Sequence, residues 1–157
     1  MQKFKINSLV ETEDLIEKQR MIKDDEEIKN LKTACEITDK CFSHIIKFIK
    51  PGMTEIEIAR EIENYYNVNA EGISFETIVA SGENSSKPHA VPTDRKIQTE
   101  DIITIDMGCK YKGYCSDMTR TIFVGNVPEY IKPVYDLVLK NQQQILDEMK
   151  DGANTRL

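Results

Sequence analysis

Between Ile102 and Val124 the chain alternates apolar and polar residues in two runs, Ile102 to Met107 and Tyr114 to Val124, on either side of the turn-forming stretch Lys110-Tyr111-Lys112-Gly113. Strands have a side-chain period of two, so the pattern predicts an antiparallel hairpin with one face for a core and one for something else. Ile103, Ile105, Met107 and Cys109 fall on one face with Tyr114, Met118, Ile122 and Val124. Thr104, Asp106, Gly108, Cys115, Asp117, Thr119 and Thr121 fall on the other. A tip between Tyr111 and Lys112 sets Asp106 directly opposite Asp117, with Cβ atoms ~4.5–5.5 Å apart, where like charges destabilise a sheet unless something compensates.

That pair is the chemical signal of the chain. No adjacent Lys or Arg shares its face, and Arg120 has the opposite parity. Two hard oxygen donors side by side suit a divalent cation, or two cations ~3.5–4 Å apart bridged by a carboxylate. The same pattern also describes two acids on a solvated sheet face, or a carboxyl pair in which one member keeps its proton. Register decides, because a slip of one residue sends the acids to opposite faces.

Upstream, apolar residues from Ile28 to Ile49 recur at spacings of three and four and predict an amphipathic helix from Asp25, stopped by Lys50-Pro51-Gly52. Thr54 with Glu57 makes a capping-box pattern for a second helix through Tyr66, ending between Asn67 and Gly72. Phe75 to Ala80 reads as a strand, followed by the polar loop Ser81 to Pro88 and then His89. After Gly125 to Pro128 a last helix begins, with Pro133 in its first turns. Helices bracketing grouped strands predict an α+β layer, an antiparallel sheet with helices packed on one face. A short strand at Lys3–Ile6 and a cap at Ser8 complete the expected elements.

His89 is suited to a catalytic or ligand role by its imidazole and its place after a polar loop, although a loop histidine is more often merely exposed. His44, on the first helix beside Ile45 and Ile46, reads as structural. Cys35, Cys41, Cys109 and Cys115 read as free thiols, because helical spacing separates the first two and the chain is acidic and without an apolar signal core. A net charge of −6, with Lys interspersed among Glu and Asp, counts against nucleic acid as a partner. No apolar stretch approaches the ~20 residues of a membrane span, so no membrane is expected and the cytoplasm is the expected compartment.

Taken together, Phe75 to His89, Asp106-Met107-Gly108 and Gly113 to Thr121 resemble the pita-bread metallopeptidases, and most closely the Xaa-Pro aminopeptidase and prolidase branch. The resemblance runs from about Arg20 to Gly152. It implies half of a pita-bread fold and a dinuclear site of divalent metal ions, Mn, Co, Fe or Zn, that cleaves the N-terminal residue from a peptide, typically before proline. By the same resemblance Asp106 matches a bidentate metal ligand and Asp117 the bridging ligand. His89 matches the histidine beside the scissile peptide. In that family a histidine and glutamates from a second, similar half complete the site, and this chain has no histidine after His89.

The resulting expectation is a truncated peptidase: residues 23–157 as the first half of the catalytic domain, and 1–22 as a lead-in resembling the exit of an absent N-terminal domain. Alone it should hold metal weakly or not at all and act on peptide only when completed in trans. The alternative is a non-catalytic half-domain that self-associates as a homodimer or binds the missing C-terminal half.

Overall fold

A computed structural model of the chain describes residues 11–150, 152 and 153. The expected strand at Lys3–Ile6 and cap at Ser8 lie outside the described residues. Among the described residues four helices and five strands follow in the order α1 (Leu15–Met21), α2 (Asp25–Phe48), α3 (Glu55–Asn69), β1 (Ile78–Ser81), β2 (Ile102–Met107), β3 (Lys110–Tyr111), β4 (Tyr114–Cys115), β5 (Met118–Phe123) and α4 (Lys132–Glu148). A 3-10 turn at Gly82–Ser86 follows β1.

Helices α2 and α3 both start on capping boxes. Thr54 and Glu57 cap α3 as their spacing predicts, and Asp24 and Glu27 cap α2 in the same reciprocal way. Gly52 ends the turn after α2 at φ 95°, where a Cβ is costly. On α2 the residues Ala34, Thr38, Cys41 and Ile45 are buried, and on α3 Ile58, Ala59, Ile62 and Tyr66. This stripe packs on Val79, Ile103, Ile105, Met107 and Cys109 of the sheet. Each fully buried aliphatic side chain there contributes on the order of 1.5–3 kcal/mol. His44 is structural, its Nε2 lying 2.6 Å from Glu61 Oε1 and its ring stacked on Phe48 and Tyr65. All four cysteines are unpaired.

The main sheet has the order β1-β2-β5, antiparallel throughout, with β2 in the centre. Residues of β2 alternate in burial, with Ile103, Ile105 and Met107 buried and Thr104 and Asp106 half-buried, so the core face is the expected one. The register differs from expectation by two residues. Tyr111 pairs with Tyr114, Met107 with Met118, and Asp106 with Thr119, not with Asp117. Turn chemistry explains the shift: Lys112 and Gly113 adopt φ 47° and 81°, the two positive values of a type I′ hairpin turn, whose sense of twist suits paired strands. The tip therefore lies between Lys112 and Gly113. A shift of two preserves face assignments, and both acids stay on the face away from α2 and α3.

The helix α4 stands apart. It has no buried residue, and it forms a groove with Ile102, Thr104, Thr121 and Phe123, on the sheet face that α2 and α3 do not cover.

Candidate active site

Asp106 occupies the middle strand, flanked by Ile78 on β1 and Thr119 on β5. Its Oδ1 accepts a 2.8 Å hydrogen bond from Thr119 Oγ1. Asp117 is placed by its neighbour. Ser116 turns inward and is buried, its hydroxyl accepting from the Cys109 amide at 2.9 Å and lying 2.6 Å from Thr38 Oγ1. The Ser116 amide in turn donates to the Cys109 carbonyl. With Ser116 facing in, the next side chain faces out, and Asp117 joins Asp106 on the open face.

Opposite this break stands Gly108. A Cβ there would lie 2.0 Å from the Ser116 carbonyl oxygen and 2.4 Å from Ser74 Oγ, so only glycine permits the approach. The Ser74 segment crosses at this point, its amide donating to the Gly108 carbonyl and its hydroxyl to the Ser116 carbonyl.

His89 is exposed and, among the described residues, makes no hydrogen bond. It nevertheless lines one cavity of about 670 Å³ with Asp106, Asp117, Phe75, Thr77 and Ala59. Three separate segments thus bring the three sequence-predicted residues to one concavity. Neither aspartate has a Lys or Arg partner among the described residues.

The donor set fits a divalent cation in kind. Carboxylate oxygens without an intramolecular cation are hard ligands in need of a positive charge. In the same cavity wall Thr77 Oγ1 is buried without a hydrogen-bond partner, a polar atom that a bound water or ligand would satisfy. In number the set is short: no group of three or more His, Cys, Asp or Glu side chains converges among the described residues.

Sequence reasoning missed the support behind His89. Glu55, at the first position of α3, is wholly buried and accepts hydrogen bonds from Ser81 and Thr93. Arg95 pairs with Asp101 through contacts of 2.6 and 2.9 Å and also reaches Ser81 Oγ. Burial raises the Asp101 carboxyl's pKa, and the Arg95 guanidinium and the Gln98 amide outweigh it, leaving the group below its ordinary value. No local signal marks Glu55, since an acid after a Thr cap is the ordinary composition of a first helical turn.

Residues 29–156 match the model for metallopeptidase family M24. An uncharacterized peptidase of Bacillus subtilis, YqhT, is 45% identical over 92% of this chain, and a Xaa-Pro dipeptidase of Pyrococcus horikoshii is 39% identical over 98% of it. Among solved structures, an X-Pro aminopeptidase from Thermotoga maritima superposes with a TM-score of 0.84 at 39% identity, covering 87% of this chain and 39% of that one. The chain spans 41% and 44% of the two curated relatives' lengths. These likenesses extend over the α+β layer and its open face alike, and the chain belongs to metallopeptidase family M24.

Proposed function

We propose that this chain supplies one half of the active site of a Xaa-Pro-type peptidase, releasing an N-terminal residue ahead of proline. Residues 23–157 form the first half of the catalytic domain in this reading, and 1–22 lead into it. The observation that carries the reading is the shared cavity of His89, Asp106 and Asp117. Asp106 and Asp117 hold divalent metal, which when bound activates water and polarises the scissile carbonyl. Thr119 orients Asp106 through its hydroxyl. His89 stands on the wall as a hydrogen-bond donor to the developing oxyanion or a proton donor to the leaving amine. Phe75, Ala59 and Val91 give the cavity an apolar wall that excludes water around the peptide.

Two carboxylates leave most of a cation's coordination to water, so the remaining ligands come from outside this chain and the chain alone binds metal weakly. Calorimetric titration with Mn²⁺ tests the assignment. Weak binding in the wild type that disappears in Asp106→Asn and in Asp117→Asn is the expected outcome, and binding indifferent to both substitutions would refute it. Hydrolysis of a Xaa-Pro dipeptide by the isolated chain, lost in His89→Ala, would show that no outside ligands are needed.

A second reading rests on α4. Leu137, Leu139, Ile145, Leu146 and Met149 are all more than half exposed, apolar surface that calls for a cover. A non-catalytic half-domain would cover it with a second copy of the chain, in a two-fold dimer.

A further inference from the structure

The imidazole of His89 has no contact of its own that fixes it, and between Glu83 and Val91 only Ala90 is buried. Its position is therefore set by whatever holds the ends of its segment. Those ends meet at a single side chain. Glu55 Oε1 accepts from the Ser81 amide and the Ser81 hydroxyl, both at 2.7 Å. Glu55 Oε2 accepts from the Thr93 amide at 3.0 Å and the Thr93 hydroxyl at 2.7 Å. Asn84 Nδ2 lies 3.3 Å from both oxygens. Each oxygen thus serves one end of the 82–92 segment, and the width of a carboxylate sets the gap between them.

The surroundings reinforce the tie. The amides of Glu55 and Ile56, free at the start of a helix, donate to the carbonyls of Arg95 and Thr93. Arg95 donates to Ser81 Oγ at 2.7 Å while paired with Asp101, which places one guanidinium beside two buried carboxylates. Gly82 makes room for it, because a Cβ at that position would lie 2.3 Å from Arg95 Nη2. Burial raises the Glu55 carboxyl's pKa, but the bonds from Thr93 and Ser81 outweigh it and hold the group below its ordinary value. The carboxylate is thus ionised at neutral pH and able to accept from every donor around it.

We propose that Glu55 is the positioning residue for His89: by closing the 82–92 segment at both ends it determines where the imidazole stands on the cavity wall. The catalytic consequence rests on the role assigned to His89 above, whereas the positioning itself does not. A merely structural Glu55 would lower stability throughout and leave His89 no more affected than any other residue.

The chain's two histidines make the distinction accessible by NMR, with His44 as internal reference. In Glu55→Gln an amide NH₂ replaces one acceptor and faces the donors of Ser81 or Thr93. Amides of 81–93 should then exchange about tenfold faster or more, and the His89 Hε1 resonance should shift toward that of free imidazole, while α2 and His44 stay unchanged. Thr93→Val, which removes a single donor, should do the same to a smaller degree and serves if Glu55→Gln does not fold. Unchanged exchange over 81–93 and an unmoved His89 resonance in a folded variant overturn the proposal. Added Mn²⁺ should broaden His89 more than His44 in the wild type; equal broadening of the two would overturn the metal-site reading and leave the Glu55 result standing on exchange alone.

Discussion

At the scale of single residues, the site depends on side chains that are absent as much as on those present. Gly108 lets Ser74 and the Ser116 carbonyl close on β2, and that closure is what turns Ser116 in and Asp117 out. Gly108→Ala forces a methyl against a backbone oxygen that cannot swing away. We expect a loss of stability of at least about 1–3 kcal/mol, read from the urea midpoint, together with weakened Mn²⁺ binding as Asp117 is displaced. A variant as stable as the wild type would mean that the strands part here at no cost. That Asp106 and Asp117 share a face was legible in sequence because residue type and strand parity carry it, whereas His89 was singled out through the family resemblance. Glu55 was not legible, since its five donors arrive from Ser81, Asn84 and Thr93, tied to it by tertiary structure alone.

At the scale of elements, the limits of α2 and α3 followed from caps and stops, while α1 was not anticipated and the hairpin register did not follow from alternation. Alternation cannot distinguish registers that differ by two, and the deciding information lay in the tolerance of Lys112-Gly113 for positive φ. Similarly, the strand expected from Tyr114 to Val124 is interrupted at Ser116-Asp117, because Ser116 has a buried hydrogen-bond partner in Thr38 that only the folded chain supplies.

One junction links three elements and carries a pH prediction. Glu27 Oε2 accepts from the Asp24 amide at 2.8 Å, while Oε1 accepts from Arg20 at 2.6 Å and from the Tyr114 hydroxyl at 3.0 Å. The Asp24 amide, then Arg20 and Tyr114, hold the Glu27 carboxyl at about 2, against an ordinary 4.5. A depressed carboxyl contributes stability that is fully present above its unfolded value. The contribution fades as pH falls below that value and is gone once the folded value is passed. Carbon-detected NMR of Glu27 should therefore show a midpoint far below the ordinary 4.5, and Tyr114→Phe should raise it. An ordinary midpoint in the wild type would mean that the start of α2 and the hairpin are not joined through this residue.

At the scale of the whole molecule, the layer of α2 and α3 on the sheet encloses a core, and α4 adds nothing to it. Helices in water gain most of their stability from a packed face, and α4, which touches the sheet through Tyr135 on Phe123, buries no residue, so a partner covering it would add stability. Sedimentation velocity should reveal species heavier than the 18.0 kDa monomer that grow with concentration, and Leu139→Glu should abolish them. A concentration-independent monomer would exclude the self-associating reading and favour a cover of different sequence. Among the described residues no helix is long and apolar enough to cross a membrane.

The two-residue register shift has a consequence for the order of assembly. Because Asp106 faces Thr119, Asp117 is not directly opposite it, and like charges out of direct opposition repel less. Folding then needs no counterion to proceed. The hairpin can close and the helices can seal its back, and a cation held as proposed would enter a frame that is already standing.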